Sequence, residues 1–110
     1  KKISNVELVG YEIDKKYCSL AKAKNRWKNI TFYNDDINNL TDFNFDIILT
    51  FLFEKQHKTL IYLYSKFPIG ALIISNTFKI PFGDNNSYDF IVAPKSRMLM
   101  RKIYVYKKAR

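Results

Sequence analysis

With 110 residues the chain is sized for one domain around one core, and its 47% hydrophobic and 16% aromatic content excludes a disordered segment. One cysteine and one histidine exclude an internal disulfide and a Cys/His metal cluster, and no apolar run reaches the roughly 20 residues that span a bilayer. Nineteen Lys plus Arg against ten Asp plus Glu leave a formal charge of +9, which favours an acidic partner: nucleic acid, an anionic membrane surface or an acidic protein. The expectation is a soluble, cytoplasmic protein without a metal. The chain opens on Lys1 and runs almost at once into a strand, so its first residues read as the interior of a longer protein.

The first stretch, Val6-Glu7-Leu8-Val9-Gly10-Tyr11-Glu12-Ile13-Asp14, is an apolar run that ends in carboxylates and feeds a helical pattern. A strand that delivers an acidic side chain just before a helix is how nucleotide-binding α/β folds present an acceptor for the two hydroxyls of a ribose. Glu12 is the residue so placed. Asp14 is the N-cap of a helix of about three turns, in which Tyr17, Cys18, Leu20 and Ala21 share one face and Cys18 is a buried small hydrophobe. Trp27 falls at or just past its end.

Ile30-Thr31-Phe32-Tyr33 is a second short strand, broken by Asn34-Asp35-Asp36, after which Asn38-Asn39-Leu40 reads as loop or a single turn. The run Phe45-Asp46-Ile47-Ile48-Leu49-Thr50-Phe51-Leu52 has the pattern of a strand buried on both faces of a parallel sheet. Leu60, Leu63, Tyr64 and Phe67 then place one amphipathic helix over residues 55–66, stopped by Pro68. His57, early in this helix, reads as a surface polar residue. Ile69-Gly70 turns into the buried strand Ala71-Leu72-Ile73-Ile74-Ser75, and the tail forms two strands, over residues 88–92 and 98–106, joined through Pro94-Lys95-Ser96 as an antiparallel hairpin. The order of elements specifies an α/β fold with a mostly parallel sheet.

In order and separation, four segments resemble the class I S-adenosylmethionine-dependent methyltransferases from their second strand onward. They are Val9-Gly10-Tyr11-Glu12-Ile13-Asp14, Phe32-Tyr33-Asn34-Asp35-Asp36-Ile37, Phe45-Asp46-Ile47-Ile48-Leu49 and Phe67-Pro68-Ile69-Gly70-Ala71-Leu72-Ile73-Ile74-Ser75. The resemblance implies a Rossmann-like sheet with S-adenosyl-L-methionine as cofactor. Glu12 would accept from the ribose hydroxyls and Asp36, or the adjacent Asp35, from the adenine amino group. Ile37 would offer its backbone N–H to the adenine ring, and Ile13 would pack on its face. Thr50, Phe51 and Leu52 after the third predicted strand, with Asn76 and Thr77 after the fourth, would line the substrate side.

Within the class, Leu49-Thr50-Phe51-Leu52-Phe53 together with Ser75-Asn76-Thr77-Phe78-Lys79-Ile80 is similar to small protein-lysine methyltransferases, which carry an acidic residue where this chain has Asn76-Thr77. The family's glycine-rich loop after the first strand has no counterpart, because the three glycines, Gly10, Gly70 and Gly83, are far apart. The family's first strand lies between the strands that correspond here to Leu8 and Ile48. Residues 1–110 are therefore expected to form a single, N-terminally incomplete methyltransferase domain that binds the cofactor weakly or not at all. In its absence those two strands either pair directly or leave backbone groups unpaired. A second reading is a basic α/β module without chemistry, with Lys22, Lys24, Arg26, Lys28, Lys107 and Lys108 contacting nucleic acid phosphates or an acidic protein.

Overall fold

The computed structural model describes residues 7–26, 30–83, 87–92, 95–96 and 101–110. They divide into two compact units, residues 1–41 and 42–110. In the first, strand β1 (Leu8–Tyr11) pairs in parallel with β2 (Ile30–Tyr33), Leu8 opposite Ile30 and Tyr11 opposite Tyr33, and helix α1 (Lys15–Lys24) lies between them in the chain. Gly10 faces Phe32 in this register, and a Cβ on Gly10 would stand 2.7 Å from the Phe32 ring. The missing side chain is what lets the ring lie against the neighbouring backbone.

The Asp14 carboxylate accepts from the backbone N–H of Lys16 at 2.9 Å and of Tyr17 at 3.3 Å, the N-cap expected from the sequence. Cys18 is buried and Ala21 half-buried, but Tyr17 and Leu20 are exposed, contrary to the four-residue face expected. At about 100° per residue, Cys18 and Ala21 lie about 60° apart, whereas Tyr17 and Leu20 lie about 40° and about 100° beyond Ala21, turned away from that stripe. Trp27 and Lys28 lie outside the described residues.

The second unit holds strands β3 (Ile47–Thr50), β4 (Leu72–Asn76), β5 (Tyr88–Val92), β6 (Lys95–Ser96) and β7 (Arg101–Lys108). β3 and β4 are parallel, with Ile47 opposite Leu72 and Thr50 opposite Ser75. β7 is antiparallel to β4 and, on its other side, to β5 and β6, so the order is β3-β4-β7-β5. The antiparallel tail is as expected, but Tyr88 pairs with Lys108, which carries the last strand two residues past Tyr106. Lys95-Ser96 is a paired strand and not a connecting loop.

Two helices, α2 (Glu54–Thr59) and α3 (Ile61–Tyr64), replace the single helix expected. Leu60 N–H donates to the carbonyl of His57, three residues back, and the Thr59 hydroxyl turns onto the Gln56 carbonyl at 2.7 Å, so the helix tightens and breaks there. At the following turn Gly70 has φ +95°, closed by Ala71 N–H donating to the Pro68 carbonyl at 3.1 Å. The core gathers Leu60, Leu63, Phe67 and Ile73 with a group of aromatics in which Phe82 stacks on Tyr88 and meets Tyr106 edge-on.

Strand β3 is not buried on both faces. Among the described residues it hydrogen-bonds only to β4, and Ile47 and Leu49 are 57% and 74% exposed. In the first unit β1 pairs, among the described residues, only with β2.

Candidate functional site

In the first unit the polar residues predicted for the cofactor collect where the two parallel strands end. The ladder continues one step past β1, with Glu12 N–H donating to the Tyr33 carbonyl at 3.0 Å. The Asn34 amide then donates to the carbonyls of both Glu12 and Ile13, each at 3.0 Å. Asn34 thus pins the backbone of the two residues that follow β1 to the end of β2. The sequence reading passed over it, although its place directly before Asp35-Asp36 was the available signal.

So held, Glu12 is half-buried and its carboxylate has no hydrogen-bond partner among the described residues. Ile13 beside it is 70% exposed, an apolar side chain left facing outward. Across the strand ends, Asp36 caps a short 3-10 turn (Ile37–Asn39), its Oδ1 accepting from the N–H and the side-chain amide of Asn38 at 2.9 and 3.0 Å. Asp35 Oδ1 accepts from Asp36 N–H at 2.8 Å and the Asn39 amide at 2.7 Å. Each aspartate spends one oxygen on local turns. Ile37 opens the turn, and its N–H has no acceptor among the described residues, as the first N–H of a helical turn has none within it. An unpaired acceptor, an unpaired donor and an exposed apolar side chain at adjoining strand ends suit a flat heterocycle bearing a diol.

The substrate-side residues belong to the second unit. Leu49, Thr50, Phe51, Ile74, Asn76 and Ile103 line an open cavity of about 330 Å³ at the carboxyl ends of β3 and β4. Thr50, Phe51 and Asn76 were expected there. Leu49, Ile74 and Ile103 were not, because their role follows from the exposed sheet face and from β7 lying next to β4. Thr77 stands beside the cavity at φ +77°, a conformation rare for a β-branched residue and costing about 1–3 kcal/mol. Three bonds hold it. Its N–H donates to the Lys102 carbonyl at 2.7 Å, its hydroxyl to Asn76 Oδ1 at 2.9 Å, and the Ser75 hydroxyl closes the turn onto the Phe78 carbonyl at 2.5 Å.

That serine leads to a buried chain of polar groups. His57 is fully buried, with Nδ1 2.8 Å from the Tyr64 hydroxyl and Nε2 3.0 Å from Ser75 Oγ, which corrects its reading as a surface residue. Ser75 donates to Phe78, so it accepts from His57 Nε2–H, and Nδ1 then accepts from Tyr64. The chain is satisfied with a neutral imidazole, and burial lowers the His57 pKa and raises that of Tyr64. Tyr88 donates to the Tyr64 carbonyl at 2.8 Å, and burial raises its pKa to about 12.

The lysines proposed for phosphate are not equivalent. Lys22, Lys24, Arg26 and Lys107 are exposed, but Lys108 is 6% exposed, with Nζ donating to the Arg110 carbonyl at 2.7 Å over the Tyr88 ring. It is occupied inside the protein and is withdrawn from the phosphate contacts. Among the described residues no group of three His, Cys, Asp or Glu could hold a metal ion, and no helix is long and apolar enough to cross a membrane.

No family model and no curated protein matches the chain. Among solved structures it is similar to the crystal structure of an RNA methyltransferase from Salinibacter ruber in complex with S-adenosyl-L-homocysteine. The TM-score is 0.70 at 15% identity, over 96% of this chain and 67% of that one. At that identity the likeness speaks for the fold. The chain has an α/β fold similar to that of this methyltransferase, with mixed parallel and antiparallel pairing among its described strands.

Proposed function

We propose that this chain is a methyltransferase-like domain that binds S-adenosylmethionine through the residues at the ends of β1 and β2. Glu12 accepts from the ribose hydroxyls, Asp36 or its neighbour Asp35 from the adenine amino group, Ile37 donates its N–H to the ring, and Ile13 covers its face. The observation that carries this reading is that the Glu12 carboxylate after β1 and the Ile37 N–H after β2 are both unpartnered among the described residues, with the Glu12–Ile13 backbone clamped to the end of β2 by Asn34. The S-adenosyl-L-homocysteine in the similar structure supports the same cofactor class. When bound, the cofactor supplies a methyl group on a sulfonium that is already a good leaving group, so the protein has to align the acceptor and little else.

Residues 1–110 are expected to bind weakly, because Gly10, Gly70 and Gly83 are too far apart to form a glycine-rich loop for the methionine part of the cofactor. The proposed methyl acceptor is a macromolecule, in a cytoplasmic setting. The +9 charge and the RNA named for the similar protein favour nucleic acid over a protein lysine.

Calorimetric titration with S-adenosylhomocysteine tests the cofactor site. Glu12→Ala should weaken binding about 10- to 150-fold, the equivalent of roughly 1.5–3 kcal/mol for hydrogen bonds to a charged group. Unchanged affinity in that variant would sink the assignment. The alternative, a basic binding module, rests on Lys22, Lys24, Arg26 and Lys107, which are exposed. Binding of that kind weakens steeply with salt, whereas nucleoside recognition at Glu12 does not.

A further inference from the structure

The cavity between β3, β4 and β7 differs in character from the site at Glu12. Its six lining residues include no charge. Leu49, Phe51, Ile74 and Ile103 supply apolar walls, Phe51 is 55% exposed, and Thr50 and Asn76 are the only polar residues of the lining. The Thr50 hydroxyl turns back toward the Ile74 carbonyl at 3.5 Å. Asn76 Oδ1 is taken by the Thr77 hydroxyl, which leaves the amide N–H₂ without an acceptor among the described residues. The same bond ties the amide to the strained Thr77 turn, so a backbone conformation that costs free energy is spent on orienting one donor.

We infer that this cavity binds an unpaired nucleobase, stacked on Phe51 between aliphatic walls, with a ring nitrogen or carbonyl oxygen accepting from the Asn76 amide. This rests on the methyltransferase reading and names the acceptor for it. At about 330 Å³ the cavity stands at the small end of the roughly 300–1,000 Å³ of ligand sites, room for one ring system. A neutral aromatic with acceptor edges suits apolar walls, an aromatic face and a single amide. A lysine ammonium does not, because it would lose water to walls that offer no carboxylate and no partner anion.

The test follows the Asn76 side-chain amide and the methyl groups of Leu49, Ile74 and Ile103 by NMR in the full chain. The probes are adenosine, guanosine, cytidine, uridine and Nα-acetyl-lysine amide, with S-adenosylhomocysteine titrated separately. At least one nucleoside should shift all four reporters. Asn76→Asp, nearly isosteric but with a carboxylate in place of the donor, should weaken it at least tenfold and gain affinity for the lysine amide; Asn76→Ala should weaken it without that gain. The proposal is overturned if the lysine amide alone shifts the wild-type reporters or if no nucleoside does. It is equally overturned if S-adenosylhomocysteine shifts them in competition with the nucleosides, since the cavity would then be cofactor space. Nucleoside shifts without any S-adenosylhomocysteine binding would uphold the base site independently of the cofactor reading.

Discussion

His57 is the chain's one histidine and it is buried neutral, so its protonation should be visible in stability alone. Its folded pKa lies below the unfolded value of 6.5 because burial disfavours the charged ring. The unfolded chain then binds more protons than the native one as pH falls through 6.5, and stability is lost on acidification from there down to the folded pKa. One proton sets the ceiling: a slope of at most about 1.4 kcal/mol per pH unit, and a loss of at most about 1 kcal/mol between pH 6.5 and 5.5. With urea m-values of about 1–3 kcal/mol/M, such a loss moves the denaturation midpoint by about 0.3–1 M. His57→Gln is the matched control. Its amide can donate to Ser75 and its carbonyl accept from Tyr64, so it should keep most of the stability at pH 7.5 and lose the slope between pH 5.5 and 6.5. His57→Ala removes the acceptor for a buried Tyr64 hydroxyl and should cost about 1–3 kcal/mol before any cavity is counted. A wild-type midpoint independent of pH from 7 to 5.5, or the same slope in the glutamine variant, would refute the neutral buried ring.

Gly10→Ala puts a methyl group 2.7 Å from the Phe32 ring and should destabilise the chain by about 1–3 kcal/mol, read from the denaturant midpoint; pairing it with Phe32→Leu should recover part of the loss. Tyr88, with its pKa raised to about 12, should ionise late in an alkaline absorbance titration. As its folded pKa exceeds the unfolded 10.0, stability should be retained below pH 10 and fall as pH rises toward 12. Tyr88→Phe should reduce that alkaline loss.

Local signals in the chain were legible where local chemistry decides the outcome. Asp14 caps α1, Gly70 takes the left-handed turn after Pro68, and the strand-ending acids fall after β1 and β2, all of them matters of a few neighbouring residues. What escaped depends on partners distant in sequence. His57 has the spacing of a surface helix residue, and only Ser75, 18 positions on, makes its burial tolerable. Leu49 belongs to a run with the composition of a doubly buried strand, yet burial depends on what packs over the sheet face, and Leu49 is 74% exposed. Lys108 counted toward a basic tail until the fold laid it over Tyr88. Half of the cavity lining came from the sheet face and from β7, whose position beside β4 no periodicity encodes.

That position of β7 has a consequence for how the second unit can assemble. The strand is the most C-terminal of those described, yet it occupies the interior of the sheet, with β4 on one side and β5 on the other. During synthesis β3 and β4 can pair as soon as both have emerged, but β5 has nothing to join until residues 101–108 follow. A chain interrupted anywhere before Arg101 loses the middle of the sheet and not its rim, and with Ile103 and Tyr106 it loses a wall of the cavity and the hydroxyl that accepts from Ile80. Maturation of this unit is therefore gated by its tail, and proteolytic nicking within β7 should release β5 and the cavity together.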